Sequence, residues 1–254
     1  MSGHSKWAGI KHKKAIADAK KGKIFTKIIR EILVATKESG PQIENNARLR
    51  KAIEDAKEAN MPMDNIKKAI QGGTGELFGS SGIIYEEMVY EGYGPAGVAL
   101  IVEVTTDNKN RTISDIRKIF VKYNGNLAEI GCVGWMFARK GYITISKFSV
   151  KDEEIIMNTV LEAGAEDFKN EADSDVYEII TSPSVFEDVK NNLKKKISIS
   201  SAEVTMIPKI YVSLSGDDAI RMLNLIDALE EYDNVKNVYS NFYISRKEIE
   251  KLRV

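Results

Sequence analysis

The spacing of apolar side chains changes along the chain, from a helical period in the first third to mostly strand-like alternation beyond it. Between residues 23 and 37, apolar side chains recur every three or four positions and form one stripe. A second helix is predicted over residues 43–59. A short third helix is predicted over residues 65–71, with Asp64 as its N-cap and Gly72 at its end. These segments predict a small helical bundle.

A stretch rich in glycine and serine, residues 72–82, is predicted to be a linker. The elements expected after it are strands over residues 85–91, 98–106, 132–138, 142–146, 175–181, 209–215 and 235–244, an extended segment over 200–208, and helices over 111–123, 152–163, 185–196 and 217–232. We expect residues 92–97 and 139–141 to be turns between strands.

The order of these elements predicts an α+β multidomain fold. Between residues 133 and 208 the order strand–helix–strand–helix–strand is typical of a ferredoxin-like sandwich. The final strand–helix–strand unit has too few strands to stand alone, so we expect it to complete the sheet that begins at Tyr85. The predicted domains are therefore a helical basic domain (1–78), a discontinuous α+β domain (79–132 plus 209–254) and an inserted ferredoxin-like domain (133–208).

Composition narrows the class of protein. The chain has 254 residues, 43% of them hydrophobic, and a mean hydropathy of −0.27, which excludes a wholly disordered protein. Its single cysteine, Cys132, cannot form an internal disulfide, and we expect it to be a buried structural thiol in a reducing compartment. No signal peptide and no apolar run near the ~20 residues of a membrane span are found. We expect a cytoplasmic protein without membrane association.

The net charge of zero is the sum of two parts of the chain that carry charge of opposite sign. The chain has 37 basic and 37 acidic side chains, yet residues 1–30 contain nine basic side chains and one acidic. Residues 1–75 contain 16 basic and 8 acidic side chains, which leaves 21 and 29 for the remainder. A dense cationic excess of this kind favours a polyanion-binding surface, although solvated lysines on a helix are the alternative.

The motifs of common enzymes and metal sites are absent from the sequence. Gly92, Gly94 and Gly97 match the spacing of a dinucleotide-binding loop, but a strand follows where that site needs a helix. No phosphate-binding P-loop occurs, and His4 and His12 lie among lysines that would repel a metal ion. We therefore expect a non-enzymatic protein with no cofactor and no metal.

Nucleic-acid binding fits the cationic N-terminal segment better. The predicted contacts of this segment are Lys6, Trp7, Lys11, His12, Lys13, Lys14, Lys20, Lys21, Lys23, Lys27 and Arg30. Lysines supply phosphate contacts that release counterions, and Trp7 would either stack on a base or anchor the segment on the bundle. Lysine contacts give affinity without much base readout, so DNA and RNA stay open as partners.

A second polar group lies at the predicted strand-to-helix junction of residues 105–112. Asn108, Lys109 and Arg111 would project near a helix N-terminus, which can bind phosphate. The alternative is structural, with Asp107 and Asn108 in the turn and Asn110 capping the helix.

Several segments resemble the YebC family, and they occur in order over nearly the whole chain. They are MSGHSKW at 1–7, IKHK at 10–13, KKGKIFTKIIR at 20–30, NMP at 60–62 with DNI at 64–66, YEGYGP at 90–95, TDN at 106–108 with NRT at 110–112, and LE at 229–230 through NVYSNF at 237–242. The departures are Ser2, where Ala is usual, and Cys132, Gly134, Trp135 and Ala138 in one strand.

The resemblance implies a helical N-terminal domain, an α+β domain and a ferredoxin-like domain inserted into it. It also implies a non-enzymatic, cytoplasmic, DNA-binding transcriptional regulator. The alternative, implied by the family's mitochondrial translational activators, is a ribosome-associated translation factor that binds ribosomal RNA and assists synthesis of difficult stretches such as proline runs. A third hypothesis is a protein-interaction scaffold. The oligomeric state is open, with a monomer favoured.

Overall fold

The computed structural model describes residues 18–75, 85–150, 153–171 and 174–251. In chain order the elements are α1 (Asp18–Ser39), α2 (Ala47–Glu58), α3 (Met63–Thr74), β1 (Glu86–Tyr93), β2 (Ala99–Thr106), α4 (Lys109–Lys122), β3 (Asn126–Ala128), β4 (Phe137–Ser146), α5 (Glu153–Glu162), β5 (Asp167–Lys169), β6 (Val176–Thr181), α6 (Phe186–Lys194), β7 (Ser201–Pro208), β8 (Val212–Leu214), α7 (Gly216–Glu231), β9 (Val235–Ser240), β10 (Phe242–Ile244) and α8 (Arg246–Lys251). The predicted α+β multidomain fold is confirmed.

Helices α1, α2 and α3 form the N-terminal bundle. Their buried apolar side chains, including Ile32, Leu49 and Ile66, form one cluster of their own. The buried Asn46 caps α2, where its side chain accepts a hydrogen bond from the Leu49 amide at 2.9 Å.

The predicted ends of the third helix are wrong. Pro62 is the N-cap residue and makes no side-chain cap, while Asp64 lies in the first turn. The helix runs through Gly72 and Gly73 to Thr74 and is capped by Gly75, which has a φ of 82°. Gly73 fits inside the helix because α1 is very close: a Cβ at this position would lie 2.6 Å from Cβ of Thr36.

The main sheet has the strand order β3-β1-β2-β9, and all its pairs are antiparallel. The pairing of β1 with β2 confirms a turn between them, but of the predicted residues 92–97 the first two belong to β1, and the turn begins at Gly94. Side chains of α4 and α7, such as Phe120 and Leu225, pack with Leu100 and Val102 of β2 in its core. Strand β9 completes the sheet begun by β1, as expected. The rest of that expectation is wrong, because the predicted strand 235–244 is divided into β9 and β10, and β8 pairs in parallel with β10 in a separate two-stranded sheet.

The segment between β4 and β7 forms a second antiparallel sheet of order β5-β6-β4-β7, with α5 and α6 against one face. Along the chain, the elements from β4 to β7 follow the β-α-β-β-α-β order of a ferredoxin-like unit. The domain limits 1–78, 79–132 plus 209–254 and 133–208 remain our proposal.

Strand β4 differs from the sequence prediction. We expected a strand over residues 132–138 and a turn at 139–141, but Gly134–Met136 form a 3-10 turn and β4 is continuous from Phe137 to Ser146. Gly141 is required for packing, since a Cβ there would lie 2.5 Å from Phe186 Cδ2. Glycine is needed at this position because α6 packs closely against β4 here, and not because the chain turns.

Candidate nucleic-acid interface

The predicted contact residues are only partly within the described structure. Lys6, Trp7, Lys11, His12, Lys13 and Lys14 lie outside the described residues, and Lys20 and Lys21 belong to the first turn of α1. The described side chains are those of Lys23, Lys27, Arg30, Asn108, Lys109 and Arg111.

Three of these cations lie on one face of α1 and contact the end of α7. Lys23 Nζ donates to the Glu231 carbonyl at 3.3 Å, and Lys27 Nζ donates to the Glu230 carbonyl at 2.5 Å. Arg30 Nη1 donates to the Asp233 carbonyl at 2.5 Å. Their spacing of four and three residues puts them on the same side of a helix. The carbonyls at a helix C-terminus lack intrahelical partners and carry partial negative charge, so Lys23 and Lys27 stabilise that end of α7, while Arg30 binds just beyond it.

The other three residues meet at the start of α4. The Asn108 side chain accepts from the Arg111 amide at 3.0 Å and is therefore the N-cap. The structural alternative that placed the cap at Asn110 is wrong, because Asn110 is already within the first turn. Arg111 pairs with Asp107 at 2.8 Å, and Lys109 pairs with Glu86. Both cations and their carboxylate partners are about half exposed. Ion pairs at the surface contribute little to folding stability.

Asn234, which the sequence analysis missed, connects the two groups. Its Oδ1 accepts from Arg30 Nη1 at 2.8 Å. Its Nδ2 donates to Thr112 Oγ1 at 2.8 Å and to Thr106 Oγ1 at 3.3 Å, and these hydroxyls lie 2.8 Å apart. All but Arg30 are buried. In the sequence, Asp233-Asn234 carries only the signal of a turn, so no pattern pointed to this role.

A second missed residue is Arg48, which joins the bundle to the main sheet. Its guanidinium contacts Glu31 Oε1 at 2.7 Å, Glu38 Oε2 at 2.8 Å and Glu87 Oε1 at 2.5 Å. Lys236 Nζ lies 2.9 Å from Glu31 Oε2 and 3.2 Å from Glu87 Oε1. Glu31, Glu38 and Arg48 belong to the bundle, whereas Glu87 and Lys236 belong to β1 and β9.

The charged side chains around Arg48 keep one another ionised. Burial raises the pKa of the Glu31 and Glu87 carboxyls, but hydrogen bonds and attraction from Arg48 and Lys236 outweigh it, and both pKa values fall below the ordinary range. Burial lowers the pKa of Arg48, and its carboxylate partners outweigh this and raise it. The contact between bundle and sheet is therefore ionic and hydrogen-bonded. The apolar cluster of the bundle comprises only residues of α1, α2, α3 and the turns between them.

Glu91 anchors the connection from β3 to β4, which leads into the inserted unit. This buried carboxylate accepts from the amides of Gly131 at 3.0 Å, Val133 at 2.6 Å and Gly134 at 2.9 Å. Burial raises the pKa of Glu91, and the three amide donors outweigh it, so the pKa is lowered. Cys132 lies in the same connection and is only partly buried, so the expectation of a buried thiol is wrong.

Two kinds of feature were not found in the described part of the chain. No helix there is long and apolar enough to cross a bilayer. No three His, Cys, Asp or Glu side chains among the described residues cluster as a metal ion would need.

Comparison with known proteins identifies the family. Residues 5–76 match the family model described as the TACO1/YebC protein N-terminal domain, and residues 85–242 match the one described as the TACO1/YebC second and third domain. The chain belongs to the TACO1/YebC family. The resemblance noted in the sequence is thereby confirmed.

Relatives match the chain over nearly its whole length. A protein of Endomicrobium trichonymphae named "Probable transcriptional regulatory protein" is 74% identical over 253 residues, covering 99% of each chain. One of the same name from Dictyoglomus turgidum is 54% identical over 99% of this chain and 100% of its own. The crystal structure of a conserved hypothetical protein from Aquifex aeolicus is similar, with a TM-score of 0.77, 47% identity and coverage of 93% of this chain and 96% of that one.

Proposed function

We propose that this protein is a non-enzymatic, nucleic-acid-binding regulator of gene expression, with DNA as the nucleic acid that its relatives' name suggests. The observation that carries the proposal is the cationic excess of residues 1–30, which contain nine basic side chains against one acidic. Three of the nine, Lys23, Lys27 and Arg30, lie on one face of α1. A one-signed surface of this density attracts phosphate and releases counterions on binding. The proposed contacts are those predicted from the sequence, including Asn108, Lys109 and Arg111.

A translation factor that binds ribosomal RNA is the second candidate, and one structural observation favours it. The described N-terminal domain contains three arginines, and each donates to protein acceptors: Arg30 to the end of α7, Arg48 to carboxylates and Arg50 to the carbonyls of residues 43 and 44. Bidentate arginine contacts are the commonest means of reading bases in a DNA groove. Lysines that contact phosphates recognise shape and charge, which suits a structured RNA.

Titration of nucleic acid at increasing salt tests the electrostatic proposal. With about five phosphates neutralised, log affinity falls with log salt with a slope of about −4.5. Simultaneous charge reversal of Lys11, Lys13 and Lys14 should abolish binding. Reversal of Lys194, Lys195 and Lys196, three exposed lysines of the inserted unit, is the matched control and should leave binding intact. A salt-independent complex, or equal loss in both triple variants, would contradict the proposal.

Parallel binding to duplex DNA and co-sedimentation with ribosomes separate the two candidates. The transcriptional hypothesis predicts DNA binding without ribosome association, and the translational hypothesis predicts the reverse. Unchanged ribosome profiles in a deletion strain would eliminate the translational candidate. The expected cytoplasmic location belongs to the same proposal and is tested by cell fractionation.

A further inference from the structure

The described cations of the proposed interface are engaged by the protein itself. Lys23, Lys27 and Arg30 donate to the carbonyls of Glu231, Glu230 and Asp233, at 3.3, 2.5 and 2.5 Å. The Glu230 and Glu231 carbonyls lie in the last turn of α7, and Asp233 follows two residues after the helix ends. As partly negative oxygen atoms, all three take the positions that phosphate oxygens would occupy in a complex with nucleic acid. The same ammonium and guanidinium groups cannot satisfy both sets of acceptors at full strength.

We propose that docking of the N-terminal bundle against the α7 end and the main sheet is autoinhibitory, and that nucleic acid competes with these intramolecular contacts for the cationic face of α1. The inference rests on the proposed function and adds regulation of the same surface. In the docked state, Lys23, Lys27 and Arg30 bind carbonyls. When phosphates replace the carbonyls, the bundle separates from the sheet.

The composition of the docking contact makes this exchange feasible. The buried apolar clusters of the bundle and of the main sheet are separate, and the contacts found between the described residues of the two include ion pairs, hydrogen bonds and Arg30 lying 5.7 Å from the centroid of the Tyr85 ring. Polar interfaces between domains resemble transient protein–protein contacts, and ionic ones weaken with salt. A polyanion can replace carbonyl and carboxylate acceptors, whereas it could not replace a shared apolar core.

The ion-pair group around Arg48 offers a way to loosen docking without touching any proposed nucleic-acid contact. Glu87 is on the sheet side and bridges Arg48 at 2.5 Å to Lys236 at 3.2 Å. Glu38 also contacts Arg48, at 2.8 Å, but both residues belong to the bundle. Glu87→Gln therefore removes one ion pair across the interface, with Arg48, and one within the sheet, with Lys236, whereas Glu38→Gln removes one within the bundle. Each variant adds the same charge at nearly the same place.

The test measures the affinity of the full-length wild type and of both variants for a short fluorescein-labelled single-stranded RNA and for a DNA duplex of the same sequence, by fluorescence anisotropy. If only the undocked state binds fully, weakening the docking raises the competent fraction and tightens apparent binding. We expect Glu87→Gln to bind about fivefold more tightly than wild type, and Glu38→Gln to agree with wild type within about twofold. Circular dichroism and thermal unfolding confirm that both variants fold.

Hydrogen exchange provides an independent readout. With saturating oligonucleotide, amides of residues 228–236 in the wild type should exchange faster, because the bundle no longer covers the end of α7. If Glu87→Gln and Glu38→Gln bind alike, or if Glu87→Gln binds more weakly, the competition is refuted while salt-dependent binding by the wild type keeps the proposed function. If wild type and both variants all fail to bind, the proposed function fails and the competition falls with it.

Discussion

The three amide hydrogen bonds to Glu91 allow a quantitative prediction for the connection between the main sheet and the inserted unit. One carboxylate oxygen accepts from Gly131, and the other accepts from Val133 and Gly134. In Glu91→Gln the amide group keeps one oxygen for the two shared donors and turns its NH₂ toward the third. The variant therefore loses one charge-assisted hydrogen bond outright and the charge of the others.

Hydrogen bonds to charged groups contribute about 1.5–3 kcal/mol each, so we expect the variant to be less stable by about 2 kcal/mol. For a protein of this size such a loss lowers Tm by about 4–8 °C. Thermal unfolding followed by circular dichroism measures it. Glu86→Gln is the control, since that carboxylate lies on the same strand, is about half exposed and pairs only with a surface lysine.

The pH dependence makes the explanation testable. The pKa of the Glu91 carboxyl is lower in the folded protein than in the unfolded chain. The ionised carboxylate therefore stabilises the fold fully at pH values above its unfolded pKa, and this stabilisation is lost as pH falls through its folded pKa. The difference in Tm between wild type and Glu91→Gln should therefore be constant near neutral pH and shrink in acid. A difference that is absent at neutral pH, or one that does not change in acid, would refute the account based on the buried carboxylate.

Three further predictions concern packing, capping and ion pairs. Gly141→Ala should destabilise the protein by roughly 1–3 kcal/mol, because the added Cβ would collide with Phe186 and Thr181. The control, Gly22→Ala, places its Cβ in open space on α1 and should stabilise the protein by about 0.5–1 kcal/mol. Thermal unfolding measures both. Asn46→Ala should cost about 1–3 kcal/mol in denaturant titrations, since it removes the α2 cap and the bonds to the Ala35 and Gly40 carbonyls at 2.7 and 2.9 Å. The pKa values of Glu31 and Glu87 are lowered, so the ionic contact should weaken only as pH falls below the ordinary glutamate value of about 4.3, and in Glu87→Gln hydrogen exchange of the bundle should depend less on pH over that range.

Elements with a clear period could be predicted from the sequence, whereas most edge strands of three residues and the glycine inside β4 misled the prediction. Strands β1 and β2 agree with their predicted ends within two residues, and the body of α1 agrees as well although the helix begins five residues earlier, because each has an apolar face of several positions. Strands β3 and β5 have three residues each and lie at sheet edges, which is too short for any alternation to show. The end of α3 was misplaced because the helix tolerates Gly72 and Gly73, and that tolerance depends on the neighbouring α1.

The sequence by itself determined the fold class, the family and the sign of the N-terminal surface. Periodicity follows from the local geometry of helices and strands, and charge is a property of composition, so neither needs a partner to be specified. Only the tertiary structure decided what the charges contact. Lys23, Lys27 and Arg30 meet carbonyls more than 200 residues away in the chain. Asn234 bonds to Arg30 near the other end of the chain, and Arg48 joins the bundle to β1. A hydrogen bond depends on distance and direction in space, which no spacing along the sequence records.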